Sequence, residues 1–144
     1  MILAQFEIPH LVKPKGNSRQ PFMNPKTGKM MLPTPPKAAK NAENLASLCA
    51  LLRPKEPFEG PLRVTYVYKS PWRKSDLQKR RRGKTVSNLR FTGSDLGNLD
   101  KQLDDVLQNC GFFKNDSQIS SRGAGHGKRW ADQGGVSVTI ERDE

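Results

Sequence analysis

DLGNLDKQLDDVLQNCGFFKNDSQI, residues 95–119, is the stretch on which the interpretation of this sequence rests. At 100° per residue, its apolar side chains gather on one side of a helix: Leu99, Leu103, Val106 and Leu107. Three polar side chains fall within about 60° of each other on the opposite side: Asn98, Lys101 and Asp105. The spacing predicts a short helix over Leu99–Leu107 that buries a leucine stripe, followed by a turn at Gly111.

Acidic residues are concentrated in the same stretch. Five of the 14 Asp and Glu residues lie here: Asp95, Asp100, Asp104, Asp105 and Asp116. We expect Asp95, Asp105 and Asp116 to converge, and neighbouring carboxylates are stable together only when protons or cations neutralise them. Mg²⁺ prefers such oxygen ligands, and it can activate water for phosphodiester hydrolysis. Lys101 is then placed to neutralise charge on a phosphate.

Each acidic residue also has a purely structural interpretation. Asp95 is in position to cap the helix, and Lys101 with Asp105 has the spacing of a surface ion pair. For Asp100 and Asp104 the structural interpretation is preferred, because we expect both side chains to point away from the polar face and towards solvent.

The net charge indicates a polyanionic partner. Lys and Arg number 25 against 14 Asp and Glu, which gives a net charge of +11 and a pI near 10.0. Nucleic acid is favoured, because cationic side chains that bind phosphates release condensed counterions. A membrane partner is not expected, since the sequence contains no long apolar span. Charge that serves only solubility remains the alternative.

Much of this charge lies in one segment, residues 69–90, which holds a single acid, Asp76. Its nine basic residues are Lys69, Arg73, Lys74, Lys79, Arg80, Arg81, Arg82, Lys84 and Arg90. So dense a run of like charges gains nothing by burial, so we expect a solvated loop that orders on an external anion.

The chain as a whole predicts one α+β domain over residues 1–144. We expect two layers, a mixed sheet and two main helices, with basic loops at about 12–33 and 69–92. The predicted elements are a strand at Ile2–Ile8, a helix capped by Thr34 and stopped by Pro54, a strand at Leu62–Tyr68, the helix Leu99–Leu107 and a strand at Val136–Ile140.

Cys49 and Cys110 lie in apolar helical segments, and no histidine stands at metal-ligand spacing from them. They predict buried, reduced thiols. The first residues lack the charged start and long apolar stretch of a signal peptide, so we expect a cytoplasmic protein.

The spacing within residues 95–119 resembles the signature of the RusA family of Holliday junction resolvases, of phage and bacterial type. That signature runs roughly D-x-D-N-L-x-K, then D-x-L, then a glycine–aromatic turn into D-D-x-Q-[IV]. The matching residues are Asp95, Asn98, Lys101, Asp105, Gly111, Asp116 and Gln118. Two positions depart from it, because Gly97 and Asn115 stand where the family has aspartates.

The resemblance implies a small homodimeric nuclease that makes paired nicks in four-way junctions with Mg²⁺ or Mn²⁺. It assigns Asp95, Lys101 and Asp116 as catalytic and Asp95, Asp105 and Asp116 as metal ligands, with Asn98 and Gln118 in support. The substrate is then branched DNA rather than a small molecule. The expected DNA-binding residues are Lys13, Lys15, Arg19, Arg73, Lys74, Lys79, Arg80, Arg81, Arg82, Lys84, Lys128 and Arg129.

Two other functions remain open at this point. Gly97 removes a carboxylate, so the chain is alternatively a junction-binding protein that has lost catalysis. An RNA-binding basic protein is supported by charge alone. Trp72 and Trp130 are interpreted as anchors of loops rather than base-stacking platforms, with Trp130 the better candidate for a DNA contact.

Overall fold

The computed structural model describes residues 1–9, 22–23, 25–26, 28, 30–31 and 36–144. Thr34, Lys13, Lys15 and Arg19, which carry sequence predictions, lie outside these residues. The helices are α1 (Pro36–Leu52), α2 (Lys74–Arg81) and α3 (Leu96–Cys110), with a 3-10 turn at Asp116–Gln118. The strands are β1 (Ile2–Ile8), β2 (Phe22–Met23), β3 (Met30–Met31), β4 (Leu62–Pro71), β5 (Ile119–Ser121), β6 (Gly127–Ala131) and β7 (Gly135–Arg142).

The main sheet is built around β4. Its order is β1-β7-β4-β5, and β6 pairs with the same edge of β4 further along that strand. β7 runs antiparallel to both β1 and β4, whereas β5 and β6 run parallel to β4. The sheet is therefore mixed, as predicted, and β2 pairs with β3 as a separate small hairpin.

Alternation along β4 decides which face of the sheet is buried. Leu62, Val64, Tyr66 and Tyr68 are all buried on one face, because successive side chains of a strand point to opposite sides. α1 contributes Leu45 and Cys49 to the same core, and α3 contributes Leu99, Leu103 and Leu107. The architecture is the α+β arrangement that the sequence predicts.

The predicted elements are confirmed with shifted ends. β4 continues three residues beyond Tyr68, and α3 extends from Leu96 to Cys110. Gly111 ends α3 with φ of 93°, a left-handed conformation in which glycine has no steric penalty. No helix in the described ranges is long and apolar enough to cross a membrane.

The expectation of a loop over residues 69–92 is wrong for part of that segment. β4 includes Lys69–Pro71, and the basic run then forms helix α2. β6 was not predicted either. Both elements lack an apolar periodicity, since α2 contains Leu77 as its only large apolar residue and β6 reads Gly-Lys-Arg-Trp-Ala.

The two cysteines are free thiols, as predicted. Cys49 is buried, and burial with Cys110 nearby raises the pKa of its thiol to about 12. Cys110 is only half-buried, and its Sγ lies 3.6 Å from the carbonyl oxygen of Ala46 on α1. Both thiols therefore belong to the packing between α1 and α3.

Candidate active site and nucleic-acid interface

The two faces of α3 are arranged as the sequence predicts. Leu99, Leu103 and Leu107 are buried against the sheet. Asn98, Lys101 and Asp105 are exposed on the other side. No ion pair joins Lys101 to Asp105 within the described part of the chain, so this polar face is available to an external ligand.

Asp95 is the N-cap of α3, which confirms its structural interpretation. Its Oδ1 accepts a hydrogen bond of 3.0 Å from the N–H of Gly97, one of the unpaired donors of the first turn. The side chain is exposed, and Oδ2 has no hydrogen bond to the described residues. Capping therefore leaves one carboxylate oxygen open to solvent.

Asp116 opens a 3-10 turn that the two neighbouring amide side chains hold in place. Asn115 accepts from the N–H of Ser117, and Gln118 accepts from the N–H groups of Lys114 and Asn115. Gln118 also donates to the carbonyls of Phe58 and Gly60. Asn115 thus does the capping work that an aspartate does equally well.

A concave site of about 280 Å³ lies in front of Asp116. The N–H of Asp116 donates to Gln108 Oε1 at 2.9 Å, which places it beside the C-terminal half of α3. The residues that line the concavity are Asp104, Asp116, Ile119, Ser120, Ser121 and Arg122.

Asp95, Asp105 and Asp116 are not grouped as a three-ligand metal site among the described residues, so their joint role stays a prediction. Asp95 directly precedes α3. Asp116 lines the same concavity as Asp104, and Asp104 lies nine residues after Asp95, or about 13 Å further along the helix axis. Across residues 36–144 and the described part of the N-terminal region, no three Asp, Glu, His or Cys side chains are grouped to hold a metal ion.

Asp104 is buried, so the expectation that it faces solvent is wrong. The Tyr66 hydroxyl donates to its Oδ1 at 2.7 Å, and Arg122 Nη2 donates to its Oδ2 at 2.7 Å. The Arg122 guanidinium also lies 5.1 Å from the centre of the Tyr66 ring. Asp104 lies within about 60° of Leu107 around α3, so its direction brings it to the edge of the leucine stripe.

Asp100 repeats this arrangement one turn earlier, and it too is turned inwards rather than towards solvent. The Tyr68 hydroxyl donates to its Oδ1 at 2.7 Å, and His126 Nε2 lies 2.8 Å from its Oδ2. The N–H of Tyr66 donates to His126 Nδ1 at 2.9 Å. Because Nδ1 accepts this hydrogen bond, a neutral His126 ring carries its hydrogen on Nε2, which then donates a hydrogen bond to Asp100.

The two tyrosines and two aspartates match in spacing. Four residues of α3 span about 6.0 Å, and two residues of β4 span about 6.6 Å. The second Tyr–Asp hydrogen bond therefore forms once the first has set the register.

Sequence reasoning missed Tyr66, Tyr68, Arg122 and His126. The available signal was a tyrosine pair at i, i+2 and an aspartate pair at i, i+4.

The predicted DNA-binding residues of the described region lie on α2, directly before and after it, and on β6. Lys128 Nζ donates to the carbonyls of Thr92 and Ser94, directly before Asp95. Arg129 donates to the carbonyls of Lys128 and Gly125. The Lys128 contacts hold the loop that leads into Asp95 against β6.

Trp72 and Trp130 are half-buried and stacked with arginines. Arg80 lies 4.8 Å from the Trp72 ring centre, and Arg73 lies 5.1 Å from that of Trp130. Both tryptophans hold α2 in place, which is the anchoring role predicted for them.

Taken together, these features define a basic α+β protein with an acidic, exposed helix start and a positively charged neighbourhood. The family model for endodeoxyribonuclease RusA matches residues 12–141. The chain belongs to the RusA endodeoxyribonuclease family. Membership implies a junction-resolving endonuclease that binds branched DNA, and enzymes of this family in general depend on divalent metals. No curated protein matches the chain significantly.

The Asp100 network predicts how stability depends on pH. Burial alone would raise the pKa of Asp100, but hydrogen bonds from His126 and Tyr68 outweigh it and lower the pKa. A carboxylate with a lowered pKa stabilises the fold above its unfolded value of about 3.9, and that stabilisation is lost as pH falls through the folded pKa. We expect the free energy of unfolding to fall below about pH 4, and to fall less steeply in Asp100→Asn.

Chemical denaturation at a series of pH values from neutral to acid measures this. Asp105→Asn is the control, because Asp105 is exposed and makes no hydrogen bond among the described side chains. Equal acid slopes in the wild type and Asp100→Asn would contradict the role assigned to this network.

Proposed function

We propose that this protein is a structure-selective endodeoxyribonuclease that resolves Holliday junctions by paired, Mg²⁺- or Mn²⁺-dependent phosphodiester hydrolysis. The observation that carries the proposal is the spacing of Asp95, Lys101 and Asp116 in a chain that matches the RusA family over residues 12–141. The proposed place of action is the cytoplasm, with a phage-infected bacterium as the proposed setting.

In this proposal, the exposed polar residues around α3 form the reactive surface. Asp95, Asp105 and Asp116 are the proposed oxygen ligands, because hard cations such as Mg²⁺ prefer carboxylates and retain several waters. The bound ion would supply activated water and charge neutralisation. Lys101, exposed one turn and a half after the cap, would neutralise charge on the phosphate that is attacked. Asn98 lies on the same face and would help to orient it.

Gly97 supports an alternative, a junction-binding protein with impaired catalysis. It stands where the family has an aspartate, so the site lacks one carboxylate. The structure has room for that side chain, because a Cβ on Gly97 would meet only Asp95 Oδ1, at an ordinary 3.6 Å. A carboxylate in the first helical turn is also favoured by the helix dipole.

Nicking of a synthetic four-way junction distinguishes these two functions. We expect the wild type to make paired nicks in Mg²⁺ or Mn²⁺ and Asp116→Asn to lose them, because a proposed ligand is removed. Gly97→Asp should raise the rate, since it adds a carboxylate beside Asp95. Glu43→Gln, an exposed acid on α1, is the control that should leave the rate unchanged.

The pattern of results separates the candidates. Cleavage by Gly97→Asp alone would favour the impaired junction binder. Absence of cleavage by wild type and Gly97→Asp in both metals, with junction binding intact, would rule out the nuclease proposal.

We further propose that the working form is a homodimer. A four-way junction has two symmetric strands to cut, and two sites related by a two-fold axis match that symmetry. A second copy would also bring further carboxylates to a helix whose own acids lie apart. Sedimentation at micromolar concentration should give a mass near twice 16.2 kDa, and a monomer there and on junction DNA would contradict the dimer.

A further inference from the structure

Helix α2 is held in place by arginine–tryptophan stacking rather than by an apolar face. Arg80 stacks on Trp72, which directly follows β4, and Arg73 stacks on Trp130 of β6. Such contacts are favourable because the guanidinium cation lies over the negative face of the aromatic ring. Asp76, the single acid of residues 74–84, is 3% exposed and accepts from Arg73 Nε at 3.0 Å. The helix therefore turns its only negative charge inwards.

A third arginine fastens the segment beside β6. Arg90 lies 5.3 Å from the Trp130 ring centre, and its Nη1 donates to Ser70 Oγ at 2.9 Å. The backbone around it is bonded to β6, with Trp130 N–H donating to the Asn88 carbonyl and Arg90 N–H to the Lys128 carbonyl. Trp130 is thus contacted by arginines from both neighbouring segments.

The opposite face of α2 is cationic and has no protein partner among the described residues. Asp76 and Arg80 lie within about 40° of each other around the helix, towards the protein. Lys74, Gln78 and Arg81 lie within about 60° of each other on the far side, followed by Arg82 and Lys84. These four cations are exposed, and no ion pair involves them in the part of the chain that is described.

A chain of contacts links the inner side of α2 to the segment that precedes α3. Arg80 lies 3.8 Å from Asp132, the residue after β6, and β6 leads back about 10 Å to Lys128. Lys128 Nζ in turn bonds the carbonyl of Ser94, next to Asp95.

We propose that α2 docks the phosphate backbone of one duplex arm, through Lys74, Arg81, Arg82 and Lys84. Arg73, Arg80 and Arg90 act as positioning residues that hold the helix on Trp72 and Trp130. The proposal rests on the proposed function in that the duplex is an arm of a junction. It adds that recognition here is of phosphate charge, independent of base sequence.

The test compares two double variants that each remove two positive charges. Arg81→Ala/Arg82→Ala alters the docking face, whereas Arg53→Ala/Lys55→Ala removes two exposed cations beyond the C-terminus of α1. Binding is measured in EDTA against a linear duplex and a four-way junction over a range of salt concentrations. The slope of log K against log salt changes by about 0.9 per phosphate contact.

We expect Arg81→Ala/Arg82→Ala to lower the slope by about 2 on both DNAs and to weaken binding at least about tenfold at low salt. The control should change the slope by much less. Equal losses in both variants, or an unchanged slope in Arg81→Ala/Arg82→Ala, would overturn the proposal. Lys74→Ala/Lys84→Ala repeats the test on the same face should the first variant fold poorly.

A neighbouring pair of single substitutions separates binding from positioning. Arg81→Gln should lower the salt slope by about 1 and leave the thermal midpoint unchanged. Arg80→Gln should lower the thermal midpoint, because it removes the stack on Trp72. The reverse pattern would overturn the division of roles.

Omitting metal keeps this result independent of cleavage. If the wild type nicks junctions and Arg81→Ala/Arg82→Ala binds DNA as tightly as the wild type, the docking surface is contradicted and the nuclease proposal is not. If the wild type never nicks junctions but its duplex binding depends on Arg81 and Arg82, the docking surface is supported and the nuclease proposal is contradicted.

Discussion

The paired hydrogen bonds from Tyr66 and Tyr68 to Asp104 and Asp100 are the interaction on which the arrangement of this protein depends. They join the central strand to the helix that carries the family signature, and they do so in a water-poor layer where a carboxylate needs partners. Arg122 and His126 complete the two networks from the loop between β5 and β6. Hydrogen bonds to a charged group contribute about 1.5–3 kcal/mol each, so the two together specify the register of α3 on the sheet.

That register determines where the side chains proposed to act on DNA lie. With the leucines and the two inward aspartates fixed, Asn98, Lys101 and Asp105 must face outwards, and Asp95 must stand at the start of the helix. Gly111 ends the helix, and Gln118 ties the following turn to Phe58 and Gly60, which fixes Asp116 at the other end. The acidic stretch thus serves two purposes, since Asp100 and Asp104 hold the helix while the outer acids remain free for chemistry.

The sequence predicted those parts of the fold that rest on apolar periodicity. β1, β4, α3 and β7 were identified because alternating or helical apolar residues mark their buried faces, and residues 95–119 identified the family. It did not predict α2, because arginine–tryptophan stacks and the buried Asp76 hold that helix where a leucine stripe usually would. It also misplaced Asp100 and Asp104, because their partners lie some 20 to 40 residues away in the chain. The joint metal binding of Asp95, Asp105 and Asp116 stays a prediction, because these residues are spread from the start of α3 to the turn after it.

Charge and symmetry connect this architecture to its proposed activity. A helix whose solvent-facing side carries Lys74 and Arg81 and no acid gives a surface for phosphate. The most direct test is a supercoiled plasmid that extrudes a cruciform, incubated with the protein and Mg²⁺. Paired incision predicts linear plasmid as the first product, because a single nick relaxes the plasmid and reabsorbs the cruciform. Nicked circles alone, or intact plasmid in both Mg²⁺ and Mn²⁺, would contradict a junction-resolving nuclease.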